Sequence, residues 1–429
     1  MRRAGGQAGR RAVASLASAF LAAGITPSAI QAQTIAITGG TVYPVSGPKI
    51  ERGTVIIQDG KITAVGAGLP VPAGAKTIDA TGKWVTPGLI HAGTSLGLTQ
   101  VGSVDATNEG SHSGEVNAAF NVAEGIDPSN VLIPIARIEG VTTAVTGPSG
   151  GLISGQAVII DLAGDRIETL VTRSPAAMVI NLNEYSKSAG GGSRAGQLER
   201  LRQLFADAQE YDRRKADFQK NQMQSLSAPA AELEALRPIL KGELPVVFVA
   251  NRRSDILSVL RLGNEYKLRM IIEGGTEAWQ VAGELAKAGV PVAVNTITNI
   301  PSFDGLGARF DNAALLRAAG VSVIVEEGET GGPRNLRWAA GHAVRFGMNW
   351  DDALAAITLA PAKAFGIDAK YGTLTAGKVA NVVVWSGDPL DYVSQAEHVF
   401  IRGAEIPLVS RQTQLLDRYR KLPPEYEQH

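Results

Sequence analysis

The chain has 429 residues, 45% of them hydrophobic, enough to bury a barrel-sized core with a small companion domain. Acidic and basic residues balance at 41 each, so no net field concentrates nucleic acid or anionic lipid, and polyanion binding is a poor fit. The absence of cysteine rules out disulfides, thiolate metal sites and cysteine nucleophiles.

The chain opens as an export signal over residues 1–32. Arg2, Arg3, Arg10 and Arg11 precede a run of apolar and small residues, with cleavage expected after Ala32 and a mature start at Gln33. That run, roughly 14 residues, is short of the ~20 that span a bilayer. A periplasmic or secreted protein, free of the membrane after cleavage, is the expectation.

From Thr34 to Lys83 the pattern is short and strand-like, with Asp59-Gly60 a strong hairpin turn. A matching set returns near the far end in KVANVVVWSGDPL and AEHVFIRGAEIP, and two such stretches are expected to pair. Between them, apolar strand-like runs alternate with helical patterns, which argues for parallel βα units. Eight strands are expected, at residues 89–95, 141–146, 157–161, 177–182, 245–250, 268–272, 290–294 and 321–325. Eight is the number that closes an α/β barrel. Residues 186–241 interrupt this rhythm: GGGSRAG leads into an amphipathic pattern carrying Leu198, Leu201, Leu204 and Phe205, read as an inserted, exposed helical hairpin.

The stretch WVTPGLIHAGTSLGL, from Trp84 to Leu98, closely resembles the opening of the amidohydrolase superfamily, and GPSGGLISGQAVIIDL, from Gly147 to Leu162, resembles its secreted, imidazolonepropionase-like subgroup. The region WDDALAAITLAPAKAFGIDAKYGTLTAGKVANVVVWSGDPL resembles the closing part of the same family, with Thr358, Pro361, Ala362, Gly366, Gly372, Leu374, Gly377 and Lys378 in place and Ala380-Asn381 where relatives read Ala-Asp. The resemblance implies a (β/α)8 TIM barrel over residues 87–373, holding the 186–241 insertion. It also implies a small β-sandwich domain built from residues 34–86 and 374–410, with 411–429 as a C-terminal tail.

Such a hydrolase holds one or two divalent ions at the C-terminal strand ends with imidazoles and carboxylates. Here the resemblance places Gly93 and Ser95 at the first pair of histidine positions. Asn181 and Asn183 fall where some relatives carry a carbamate lysine, Asn251 replaces the fifth-strand histidine, and Glu273 the sixth-strand one. The eighth-strand aspartate corresponds to Glu329 or Glu327. Only five histidines exist in the chain: His91, His112, His342, His398 and His429.

The expected site is therefore degenerate. Glu273 and Glu329 are the candidate catalytic groups, with Ser95, Asn181, Asn251, Arg252, Arg334 and His112 as candidate substrate contacts. Without a metal, Glu273 is expected to pair with Arg252 or Arg253. With one, a single manganese, magnesium or zinc ion would sit on Glu273, Glu329 and His91, since alternation puts His91 on the face of Gly93 and Ser95. Two functions stay open: a pseudoenzyme that binds a small molecule, as a homo-oligomer or beside an active relative, and a working hydrolase of non-peptide C–N bonds with an oxygen-rich metal site. The loop beginning at Gly147 is glycine-rich but runs into a strand rather than a helix, which argues against a phosphate loop.

Overall fold

The computed structural model describes residues 33–220, 225–300, 302–327 and 332–420. The expected export signal and residue Glu329 lie outside them. Strands from the two ends of the chain form one hydrogen-bonded sheet. Ile35–Val42, Ile50–Gln58, Lys61–Ala67, Lys76–Asp79 and Trp84–Pro87 come from the N-terminal side, and Val382–Trp385, Ala396–Ile401 and Ala404–Ile406 from the C-terminal side. The join is antiparallel, with Val382 opposite Pro87 and Trp385 opposite Trp84. Alternating residues such as Ile37, Val55, Ile57, Val85, Val384 and Phe400 bury one face of this sheet. Asp59 and Gly60 both have positive φ, as a two-residue type I′ hairpin requires.

The second sheet is a nearly closed eight-stranded barrel. Its strands, in order around the sheet, are Leu89–Thr94, Val141–Thr146, Ile153–Asp161, Val171–Asn181, Val246–Ala250, Met270–Gly274, Val292–Asn295 and Val323–Glu326, and the first and last lie side by side. All eight expected strands are present. The uniformly parallel arrangement is not: Ile153–Asp161 runs antiparallel to both neighbours. The connection from Thr146 to Ile153 is too short for a parallel crossover, which needs a dozen or more residues, so the chain folds straight back. Gly150 and Gly151, both at positive φ, make that reversal. The glycine-rich loop is thus a hairpin at the barrel mouth.

Ile90, Ala92, Val145, Ala177, Val179, Val247, Ile271, Ala293 and Ile324 belong to one buried cluster that fills the barrel. The helices outside it pack on a larger, separate cluster. Helices Arg194–Arg213 and Ala230–Leu240 pack against each other. Their apolar stripes, including Leu201, Leu204, Phe205, Leu233 and Leu236, join the principal core, so this segment is part of the outer shell and not an exposed embellishment. The helix Arg411–Tyr419 buries no residue. Among the described residues, no helix is long and apolar enough to cross a membrane.

A buried polar cluster ties the barrel to the terminal sheet. The Asp161 carboxylate accepts hydrogen bonds from Thr143 Oγ1 at 2.9 Å, Tyr371 Oη at 3.0 Å and Asn381 Nδ2 at 3.3 Å. Asn381 in turn accepts the Arg402 backbone N–H at 2.8 Å. An asparagine suits this place because it both donates to the buried carboxylate and accepts from the backbone.

Candidate functional site

The C-terminal strand ends open into a cavity of about 570 Å³. Strand alternation decides which side chains reach it. Ile271 and Ile324 point into the barrel, so Glu273 and Glu326, two residues further along each strand, point into its mouth. A Cβ placed on Gly93 would lie 3.3 Å from Oε2 of each glutamate. The two carboxylates thus converge on the position left bare by that glycine.

Glu326 is buried, and its Oε1 accepts the Gly274 N–H at 3.3 Å. Burial first, then repulsion from Glu273, raises its carboxyl well above the ordinary glutamate value, and the Gly274 N–H offsets part of that rise. Glu327 also borders the cavity and accepts from Asn335 Nδ2 at 3.4 Å. With Glu326 protonated, the pair offers one hydrogen-bond donor and several acceptors to a bound molecule.

Of the residues expected here, Glu273, Gly93, Ser95, Asn181, Asn183 and Glu327 border the cavity. Asn181 donates to Ser154 Oγ at 2.8 Å and to the Gly151 carbonyl at 2.9 Å, so its amide braces the glycine hairpin. Asn251 accepts from Thr276 Oγ1 at 2.8 Å and lies outside the cavity wall.

The expected pairing of Glu273 with Arg252 or Arg253 is not what the structure builds. The chain leaves the barrel at Ala250 and turns into the helix Arg253–Tyr266, which leaves both arginines exposed on its first turn, while Glu273 faces Glu326. Arg334 is exposed in the short turn Pro333–Asn335, and His112 is exposed with Nδ1 accepting the Gly114 N–H at 3.2 Å; neither borders the cavity.

His91 is also displaced from the expected face. The register of its strand breaks between His91 and Thr94, so Ile90 and Ala92 fill the barrel and His91 is buried beside them, away from the cavity wall. Its Nδ1 accepts the Gly93 N–H at 3.4 Å, and burial lowers its pKa to about 4, so the ring is neutral at physiological pH. His342 stacks edge-on with Phe310 outside the barrel, and His398 meets Glu405 at 2.7 Å in the terminal sheet.

Glu326 was missed because the eighth strand was expected to end at Val325. One more residue of the same alternation reaches it. Tyr185 and the hydroxyl and amide groups of Thr99 and Asn108 also border the cavity, with no sequence signal to announce them.

The donor set bears on the metal that relatives use. Two facing carboxylates with neutral amides and hydroxyls lack the imidazoles of a zinc-type centre, and among the described residues no three His, Cys, Asp or Glu side chains surround a metal-sized space. These residues do not fit the metal centre of the family, and no chemical step is assigned through one.

Residues 288–408 match the Amidohydrolase family. An amidohydrolase from Thermotoga maritima superposes with a TM-score of 0.81 and 27% sequence identity, covering 88% of this chain and 100% of that one. The chain is similar to amidohydrolases over most of its length, and its C-terminal part matches that family. An imidazolonepropionase from Mesorhizobium japonicum is 27% identical over 375 residues, 78% of this chain and 87% of the relative. Amidohydrolase tasK from Hapsidospora irregularis is 25% identical over 389 residues, 82% of this chain. The match spans only 39% of that relative's length.

Proposed function

We propose that this chain is an exported amidohydrolase-superfamily protein that uses its barrel mouth to bind a small molecule or a partner, without metal-dependent hydrolysis of C–N bonds. The observation that carries the proposal is the convergence of Glu273 and Glu326 on Gly93, with no imidazole bordering the cavity among the described residues. Hydrolysis of an amide at neutral pH needs an activated water and a stabilised oxyanion, which relatives obtain from metal-bound hydroxide. A carboxyl and a carboxylate in a polar cavity supply hydrogen bonds and negative charge, which favour binding of a molecule rich in N–H donors.

The test is made on the mature chain from Gln33. Elemental analysis, thermal melts with and without chelator, and turnover of amides and cyclic imides with added manganese, zinc or magnesium are measured together. The expected result is no stoichiometric metal, no melting shift on chelation and no turnover. Bound metal together with chelator-sensitive hydrolysis would establish the oxygen-rich metal hydrolase instead.

A further inference from the structure

The base of the barrel, opposite the mouth, carries a second cavity of about 370 Å³. It opens where the fifth to eighth strands begin. Pro245, Arg269, Pro291 and Ser322 each immediately precede a strand and border it, and Lys363 borders it from the helix Leu359–Ala364. Arg269 and Lys363 are exposed, and among the described residues neither makes an ion pair or a side-chain hydrogen bond. No aspartate or glutamate borders this cavity among the described residues. A third cation stands beside them. A Cβ placed on Gly366 would lie 3.5 Å from Arg173 Nη1 and 3.7 Å from Arg269 Nη2, so two guanidinium groups flank one point. Arg173 Nη1 donates to the Phe365 carbonyl at 2.8 Å and to the Gly366 carbonyl at 3.3 Å, neutral partners that leave its charge in place. Lys378 feels the same cluster: burial lowers its pKa, Asp368 opposes that, and Lys363 lowers it further. Acidic and basic residues balance at 41 each over the whole chain, so the fold has gathered a local excess of positive charge here.

We infer that the barrel base is a binding site for a phosphate monoester with a small apolar body, with Arg269 and Lys363 as its charged contacts. Like charges gathered without acids repel one another, and a bound anion relieves that repulsion. A phosphate monoester carries about −1.5 to −2 charges at pH 7, which matches the two unpaired cations, whereas a carboxylate supplies one. Arg269 presents a planar fork of donors to the phosphate oxygens, Lys363 a compact charge, and Ser322 a hydroxyl at the cavity wall. Met270 and Pro291, both half-buried, border the cavity beside these groups and receive the apolar body. The site is separate from the mouth, so it stands whether or not the mouth is catalytic.

The test uses the mature chain from Gln33 and isothermal titration calorimetry with phenyl phosphate, benzoate and phenol, which share a ring and differ in charge. Phenyl phosphate is expected to bind about tenfold or more tightly than benzoate, and its affinity to fall with added sodium chloride; phenol should give no measurable binding. The double variant Arg269→Gln/Lys363→Gln should weaken phenyl phosphate at least about tenfold. Its melting temperature without ligand should not be lowered, since both side chains are exposed and unpaired. Arg269→Lys, which keeps the charge and loses the fork, should fall between parent and double variant. No binding of phenyl phosphate, equal affinity for benzoate, or an unaffected double variant would overturn the inference. Binding to phosphatidic acid vesicles with none to phenyl phosphate would overturn it too, because the anion would then belong to a lipid surface and not to a small molecule.

Discussion

The Glu326→Gln substitution isolates the electrostatics of the site. Both Oε2 atoms lie 3.3 Å from the Cβ position of residue 93. That puts them within about 7 Å of each other, where two full charges repel by about 2 kcal/mol at an effective dielectric constant of about 20. Glu326 keeps its proton in the folded protein at pH values where the unfolded chain has lost it. Its contribution is therefore complete below the ordinary value of 4.5 and is lost as pH rises through the raised folded value. Glutamine still accepts the Gly274 N–H but carries no charge. In urea unfolding across this range the variant should match the parent near pH 4.5. As pH rises through the raised folded value it should exceed the parent by at least about 2 kcal/mol, the share of the like-charge repulsion, with burial of the charge adding to it. Parallel stability profiles would refute the like-charge pair. A variant less stable than the parent at every pH would mean that the parent's carboxylate is compensated by a cation.

Three further predictions follow from neighbouring groups. His91 has the opposite pH sign: its folded pKa of about 4 lies below the ordinary 6.5, so its neutral burial stabilises the fold above pH 6.5, and stability is lost as pH falls toward 4. Across that window the loss is about 3 kcal/mol, and His91→Leu should flatten the acid limb of the unfolding profile. Asp161→Asn sets an amide donor among Thr143, Tyr371 and Asn381, all of which donate to the native carboxylate, and should cost about 1–3 kcal/mol in urea unfolding. Arg194→Ala should speed hydrogen exchange of the loop around Asp304, because it removes the contacts at 2.7 and 3.0 Å that tie that loop to Asp255.

The barrel was legible because its strands are apolar runs separated by helical patterns, a signal that survives loss of the ligands. The direction of the third strand was less so. An apolar run has no polarity along the chain, and only the short connection from Thr146 to Ile153, with Gly150 and Gly151 at positive φ, forces the reversal. At the site, the resemblance pointed to Glu273, which borders the cavity, whereas alternation misplaced His91, because the register break before Thr94 shifts the strand's faces and leaves no mark in residue identity. The arginines after Ala250 failed for another reason: a basic residue next to a lost ligand position invites a salt bridge, yet the turn into the following helix carries Arg252 and Arg253 into solvent.

The glycine at position 93 and the glutamates at 273 and 326 form one packing unit. A Cβ at 93 already approaches both carboxylates to 3.3 Å, tighter than ordinary van der Waals contact, so an imidazole there would occupy the space the carboxylates now fill. The bare backbone at 93 leaves room for the two glutamates. With both in place, introducing a histidine alone drives a ring into the half-buried Glu273 and the buried Glu326. Gly93→Ala should already cost about 1 kcal/mol or more. Gly93→His should cost more still unless Glu273 or Glu326 is shortened to aspartate in the same variant. If Gly93→His alone were tolerated at full stability in urea unfolding, the carboxylates would have room to move apart, and the packing that links these three positions would be wrong.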